Sequence, residues 1–150
     1  MEPESISQTD YETLATFRQT LREFLHFSEQ AAKKLDLTPQ QHQALLAIKG
    51  HKREGMNVGE LANILKIQPH SAVGLVNRLV ANKLAIRQAV EQDRRQVFLS
   101  LSSKGEKMLE KLSVAHRHEL RRLKPALVHL LNLLDSDFTH KPHARGTLSQ

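Results

Sequence analysis

The sequence predicts a mainly α-helical protein with one small β-hairpin, an α+β class. Most of the 150 residues lie in stretches whose apolar side chains recur every three or four positions, the spacing of one helix face. Only the stretch from about 84 to 101 alternates apolar and more polar side chains, as half-exposed strands do. No internal repeat and no linker interrupts this order, so we expect a single domain over 1–150.

The charge of the chain is basic and uneven. Lys and Arg number 22 against 16 Asp and Glu, a net charge of +6, and the sequence pI is about 9.8. The first fifty residues carry five basic and seven acidic side chains, whereas the last hundred carry seventeen and nine. This excess suits a polyanion, either nucleic acid or an acidic membrane surface, and does not choose between them.

The composition also argues against several classes of function. Without cysteine, the chain has no disulfides, thiolate metal sites or thiol-based redox sensing. No apolar run approaches 18 residues and the N-terminus is acidic and polar, so we expect no membrane anchor, no signal peptide and a cytoplasmic location. No phosphate loop, nucleophile elbow or paired carboxylates point to an enzyme or a cofactor. The nine His residues contain no i,i+4 pair, so we predict no metal site.

A long first helix is predicted from about 10 to 35, after a loose arm over 1–9. Its apolar stripe is wider than the surface helix of a monomer needs, which fits core packing and a partner surface about equally well. A second helix starts at Thr38, because Pro39 suits the first helical position and Gln41 can close a capping box. This helix ends at Gly50 and is predicted to bury Leu45, Leu46 and Ile48.

Two shorter helices follow, separated by the turn Lys66-Ile67-Gln68. Asn57 and Glu60 repeat the capping pattern at the start of the first, and Pro69 opens the second. Helix, turn, helix and then a β-hairpin is an order that puts the second helix in a DNA major groove. The apolar side of the first of these helices is supplied by Leu61, Ala62, Ile64 and Leu65.

A helical wheel divides the second of these helices into two faces. The outward face is small and polar with one Arg, which suits contact with base edges, although a surface helix short of charge is the plain alternative. The wheel turns Val73, Val76, Leu79 and Val80 inward, and His70, Ser71, Gly74, Arg78 and Ala81 outward.

The hairpin strands flank a charged segment with Arg94 and Arg95 at or near its tip. Arginine side chains there can enter a narrow minor groove, where the negative potential is strongest. The alternative is a solvated turn in which Asp93 pairs with a neighbouring Arg, and both interpretations can hold together.

After the hairpin, Ser103-Lys104-Gly105-Glu106 starts a helix that is predicted to run to about Lys124. Pro125 breaks its register, a short apolar helix follows, and 136–150 is expected to be a loose tail. The last leucines of that helix have little left to cover inside one small domain, so we expect them to meet a second copy of the chain. These are Leu127, Leu130, Leu131 and Leu134.

The segment DRRQVFLSLSSKG, residues 93–105, resembles the wing signature D-x-R-x-x-x-L-x-L-T-x-x-G of the bacterial MarR-family regulators, with Ser102 in place of Thr. The segment VGELANILKIQPHSAVGLVNRLVANKLAIR is similar to that family's helix-turn-helix, and the resemblance covers roughly 10–135.

The resemblance implies a homodimeric winged helix-turn-helix regulator, a repressor rather than an activator, on a palindromic double-stranded operator. The winged helix would span about 38–102, with dimerisation helices over about 10–35 and 103–135. Gln68 departs from the family, since it stands at the recognition-helix N-cap where Ser or Asp is common. The implied DNA contacts are His70, Ser71, Gly74, Leu75 (on the border of the outward face), Asn77 and Arg78 in the recognition helix, and Asp93, Arg94 and Arg95 in the wing. The implied dimer surface comprises Leu14, Phe17, Leu21, Leu120, Leu123, Leu127, Leu130, Leu131 and Leu134.

Many members of this family release DNA when a small aromatic or acidic effector binds between the dimer lobe and the winged helix. An Arg or His can meet a carboxylate, although a polar residue on a solvated face is the plainer interpretation. The candidates are Arg22, His26, His42 and His51.

Two further interpretations stay open. A winged helix can serve as a protein–protein interaction module without sequence-specific DNA binding, because a fold does not settle function. Such a module would show exposed apolar residues on the second helix and the wing. The basic helix KMLEKLSVAHRHELRRL could also bind a membrane surface, but dimerisation explains its apolar face better.

Overall fold

The computed structural model describes residues 5–52, 55–90 and 93–137 and confirms the α+β class. Within this part of the chain, four helices precede an antiparallel two-stranded hairpin and one long helix follows it. The elements are α1 Gln8–Lys33, α2 Pro39–Lys49, α3 Val58–Leu65, α4 Pro69–Ala81, β1 Ala85–Val90, β2 Asp93–Leu101 and α5 Ser103–Asp137. The predicted tail beyond Asp137 lies outside the described residues.

The chain divides into two compact units. One comprises His26–His118, and the other is formed by the described residues up to Leu25 and from Glu119 onward, so α1 and α5 contribute to both. No helix among the described residues combines the length and the apolar character that crossing a membrane requires.

The unit His26–His118 carries the winged helix, and local capping sets where its helices begin. The N–H of Gln41 donates to Thr38 Oγ1 at 3.1 Å and that of Glu60 to Asn57 Oδ1 at 2.8 Å, and both capping boxes are closed, as predicted. The largest fully buried side chains hold this unit together through apolar burial. They are Leu45, Met56, Leu61, Leu75, Leu79, Leu84 and Val76.

The hairpin is attached to the helices by backbone hydrogen bonds. β1 and β2 pair from Ala85 opposite Leu101, with a register shift after Ala89. The N–H of Leu99 donates to the Met56 carbonyl at 2.8 Å, which ties β2 to the segment before α3. The buried ends of the hairpin therefore sit on the same core that holds the two helices of the motif.

Two of the apolar positions predicted to be buried in α2 and α3 are exposed. Leu46 and Ile64 were expected inside, yet each is 51% exposed. Their helices bury neighbouring positions instead, because only about half of a helix surface can face one core. Both side chains line a surface cleft between α2 and α3.

The predicted break at Pro125 is also wrong, since α5 runs without interruption from Ser103 to Asp137. A proline in a helix removes one backbone hydrogen bond and costs about 3 kcal/mol. The apolar stripe continues past it at helical spacing, with Leu123 and Leu130 buried and Leu127 half-buried. Burial of this stripe offsets the loss at the exposed Pro125.

The second unit packs the first part of α1 beside the last part of α5. Thr20, Leu123 and Leu130 are buried there, and Thr20 Oγ1 donates to the Thr16 carbonyl at 2.9 Å. Leu123 and Leu130, predicted for the dimer surface, are thus already covered within one chain. The remaining predicted positions that stay exposed are Leu14, Phe17, Leu21, Leu120, Leu131 and Leu134.

Candidate nucleic-acid interface

The turn between α3 and α4 sets the direction of the second helix. Lys66 adopts a left-handed conformation with φ of 56°, and the N–H of Ile67 donates to the Ala62 carbonyl at 3.0 Å. Pro69 then begins α4, while the Gln68 side chain makes no capping hydrogen bond. The weak cap expected at Gln68 is confirmed, so the first N–H groups of α4 have no side-chain cap from this residue.

The buried face of α4 follows one helical stripe: Ala72, Leu75, Val76 and Leu79. Leu75, which we assigned to DNA contact, is only 1% exposed and cannot reach a ligand, so that assignment is wrong. Val73, predicted to face inward, is 46% exposed and lies on the outer surface. Ala72 is buried instead, because its small side chain lets α4 pack closely against the core. Hydrophobicity alone would have favoured Val73 over Ala72 for this place.

The outward face of α4 carries most of the polar side chains predicted for it. His70, Ser71, Asn77 and Arg78 are exposed, and Gly74 is half-exposed between them. A Cβ added at Gly74 would lie 3.5 Å from Arg78 Nη1, so the guanidinium extends over the glycine. The result is a shallow surface of hydrogen-bonding groups on a helix whose other side is fully packed.

Asn77 also makes a contact that spacing along the chain did not suggest. Arg87 Nη2 on β1 donates to Asn77 Oδ1 on α4, and both residues are exposed. Arg87 was not among the predicted site residues, because its partner lies ten positions earlier in a different element. The sequence offered only one sign of this contact, a basic residue on the first strand of the hairpin.

The wing carries the other predicted DNA contacts. Asp93 pairs with Val90 and begins β2, and Arg94 and Arg95 follow it on the same strand. The tip at 91–92 and the side chains of Asp93, Arg94 and Arg95 lie outside the described part of the structure. Their predicted contacts with DNA stay predictions.

The effector candidates occupy different environments. Arg22 and His26 are exposed on α1, whereas His42 on α2 is only 5% exposed. The His42 ring lies 4.7 Å from that of His116, whose Nε2 is 2.8 Å from Ser28 Oγ. The pKa of His42 is lowered to about 4, mainly because the ring is buried and to a smaller extent because of the charge of His116. His42 is therefore a neutral core residue at neutral pH.

His51 borders a surface cleft of about 770 Å³ between α2 and α3. Its Nε2 is buried without a hydrogen-bond partner among the described residues and lies 3.9 Å from Glu60 Oε2. Apolar side chains form much of the rest of the wall, namely Leu46, Ala47, Ile64 and Leu65. The volume suits a small organic molecule.

No three His, Asp or Glu side chains converge on a common point within residues 5–52, 55–90 and 93–137. The described part of the chain therefore offers polar donors at the surface of α4 and one half-apolar cleft, but no preassembled metal site.

Comparison with known protein families gives a match over the helices α2, α3 and α4 and part of the hairpin. Residues 35–96 match the model of the MarR family. Among solved structures, the F27L mutant of MepR of Staphylococcus aureus bound to an oligodeoxyribonucleotide is 22% identical with a TM-score of 0.68, covering 88% of this chain and 99% of that one. MepR bound to ethidium bromide is 22% identical with a TM-score of 0.63, covering 80% and 92%. AbsC of Streptomyces coelicolor is 22% identical with a TM-score of 0.68, covering 94% and 95%. Comparison with curated protein sequences gives no match.

Proposed function

We propose that the protein is a transcriptional regulator that reads double-stranded DNA, in keeping with the match of residues 35–96 to the model of the MarR family. The observation that carries the proposal is the exposed polar face of α4. Its side chains His70, Ser71, Asn77 and Arg78 stand on a helix whose opposite face is buried. Such a helix can enter a major groove without losing its own packing.

The wing supplies the second contact of this proposal. Arg94 and Arg95 would reach the phosphates or the minor groove beside the base pairs that α4 reads, and Asp93 would orient them. Lys83, Arg87 and Lys104 are exposed in the described part of the same unit and add positive charge. Phosphate neutralisation by these groups would provide affinity, and the side chains of α4 would provide base preference.

We propose further that the protein works as a homodimer, and as a repressor on a palindromic operator. The apolar residues that stay exposed on α1 and α5 support the dimer, because exposed Leu and Phe at this density favour burial against a partner. Two identical subunits related by a two-fold axis would present two recognition helices to two half-sites. As a regulator of bacterial DNA, the protein would act in the cytoplasm.

For an effector, the cleft between α2 and α3 is the described site that fits best. His51 offers a buried ring nitrogen without a hydrogen-bond partner in the described structure, and the surrounding wall is largely apolar. A small aromatic molecule with one polar group would satisfy both features. The binding of ethidium bromide by MepR is consistent with aromatic ligands on this fold.

A protein-interaction role is the second candidate, and one observation favours it. Val73 exposes 46% of its surface on the outer side of α4, as a protein-binding winged helix would. Its neighbours one turn away on α4, His70 and Asn77, are polar and exposed, and a valine can equally contact a thymine methyl group. The DNA-binding proposal accounts for more of this surface.

The deciding experiment is fluorescence anisotropy with the upstream intergenic DNA of the protein's own gene and with a scrambled duplex, over a salt series. Tight binding to the first duplex that survives rising salt, with weak and salt-sensitive binding to the second, is the expected result. Equal and steeply salt-dependent binding to both duplexes would mean that the protein contacts DNA only through its positive charge, without reading the sequence. The protein-interaction role would then be the better supported function.

A further inference from the structure

We propose that Arg87 is a specificity-determining residue, which sets the orientation of the Asn77 amide and thereby the kind of base edge that Asn77 can read. The inference rests on the proposed DNA-binding function and deepens it. Its basis is one contact between two elements: Arg87 Nη2 on β1 donates to Asn77 Oδ1 on α4.

The contact constrains an otherwise ambiguous side chain. A free asparagine on a recognition helix can turn both amide atoms toward a base, and the paired donor and acceptor match adenine N6 and N7. With Oδ1 engaged by Arg87 on β1, the Nδ2 group is the part of the amide that stays available to a base. Asn77 then presents hydrogen-bond donors, which suit the acceptor-only edge of guanine or thymine O4.

Arg87 is suited to this role by its place on the hairpin. It pairs with the buried Leu99 across the strands, and Leu99 is hydrogen-bonded through its N–H to the Met56 carbonyl. The backbone that carries Arg87 is therefore attached to the core, while its guanidinium remains exposed beside α4. A guanidinium is charged at every working pH and has five donors, so one donor can hold Asn77 while others remain available.

The test is a selection from randomised duplexes by full-length protein, performed on the wild type, Arg87→Met, Asn77→Ala, the double variant and Arg87→Lys. Methionine keeps much of the stem of the side chain but has no donor. We expect Arg87→Met to raise the preference for adenine over guanine at one position of each half-site by about tenfold. This shift should be absent in the Asn77→Ala background and largely reversed by Arg87→Lys, which restores a donor. Gln88→Met, on the next exposed position of β1, is the matched control and should leave the preference unchanged.

Two results would overturn the proposal. If Arg87→Met weakens every sequence equally, in both the wild-type and the Asn77→Ala backgrounds, Arg87 is a phosphate contact. If neither affinity nor preference changes, Arg87 has no role in recognition. Circular dichroism of each variant verifies folding, which we expect to be intact because both residues are exposed.

A second measurement needs no DNA and separates this proposal from the proposed function. The side-chain amide of Asn77, followed by ¹⁵N–¹H NMR in the free protein, should shift in Arg87→Met and stay unshifted in Gln88→Met. A wild type that selects no sequence would refute the DNA-reading function itself. An Asn77 amide signal that is unaffected by Arg87→Met would refute the positioning role whatever the selection shows.

Discussion

The guanidinium of Arg78 extends over Gly74 on the outer face of α4, where an added Cβ would lie 3.5 Å from Arg78 Nη1. That distance is ordinary van der Waals contact, so the chain itself has room for alanine at this position. Glycine inside a helix lowers stability by about 0.5–1 kcal/mol relative to alanine. Under the proposed function, the missing methyl group would let DNA approach this surface closely.

Gly74→Ala should change the free energy of unfolding and the affinity for DNA in opposite directions. We expect the free energy of unfolding to rise by about 0.5–1 kcal/mol, because the helix gains propensity. DNA affinity should fall, because the new methyl group lies where a base edge or phosphate would approach. Urea unfolding and anisotropy measure the two effects. Ser113→Ala, at an exposed position of α5, is the control and should leave DNA affinity unaltered. Wild-type affinity in Gly74→Ala would argue against α4 as the reading helix.

Arg78→Ala should weaken operator binding by about 1–3 kcal/mol and relax the preference at one base pair, since it removes one bidentate contact. Competition anisotropy with single-base operator variants measures both quantities. Arg117→Ala removes the same charge from an exposed position on α5 and serves as the control. An equal loss in both variants would attribute the effect to net charge and not to base reading.

The double change Arg94→Ala and Arg95→Ala should flatten the salt dependence of binding to every duplex, whatever its sequence. Loss of two phosphate contacts lowers the slope of log affinity against log salt by roughly two. Anisotropy titrations at several salt concentrations give the slope. The pair Lys107→Ala and Lys111→Ala, exposed on α5, removes equal charge elsewhere. A slope that the wing variant leaves intact would mean that the wing does not touch the DNA backbone.

Gly105→Ala should destabilise the winged helix strongly. A Cβ at this buried position would collide with the carbonyl group of Leu84, and both atoms belong to backbone that is held in place. The N–H of Ser102 donates to that carbonyl at 3.0 Å, and the N–H of Gly105 donates to Ser102 Oγ at 3.0 Å. We expect a loss of about 1–3 kcal/mol, as for overpacking in a core, measured by urea unfolding. Lys104→Ala, one residue earlier and exposed, should cost far less; equal losses would contradict this account.

Stability should fall as the pH is lowered from about 6.5 toward 4, because of His42. Its pKa in the folded chain is lowered from the ordinary histidine value of 6.5 to about 4, first by burial and next by the charge of His116. Between these two values the unfolded chain binds the proton more readily, so stability present above pH 6.5 is lost progressively on acidification. The difference between the two pKa values corresponds to roughly 3 kcal/mol of stability.

Urea unfolding of the wild type and His42→Leu at several pH values measures this contribution. The leucine variant should lose most of the pH dependence in this window. The control His118→Gln, at an exposed position of α5, should keep it. Identical pH profiles for the wild type and His42→Leu would show that His42 is not the responsible group.

The sequence predicted best what depends on residues close together in the chain. The capping boxes of Thr38 with Gln41 and of Asn57 with Glu60 each span three positions, so their partners are visible in the sequence. Helical and alternating periodicity placed the helices and the hairpin to within a few residues, except at Pro125. The polar outer face of α4 was also predicted, since polar side chains on one side of a helix require no knowledge of its neighbours.

Periodicity and local capping thus determined the order of elements, the α+β class and the position of α4. Tertiary structure decided which apolar side chains are inside, because burial depends on what approaches from elsewhere in the chain. Packing buries Leu75 and leaves Val73 exposed in α4. The burial of Leu123 and Leu130 also stabilises α5 on both sides of Pro125, so the helix continues through it. Tertiary structure also joined Asn77 to Arg87, a contact between a helix and a strand that no local pattern records.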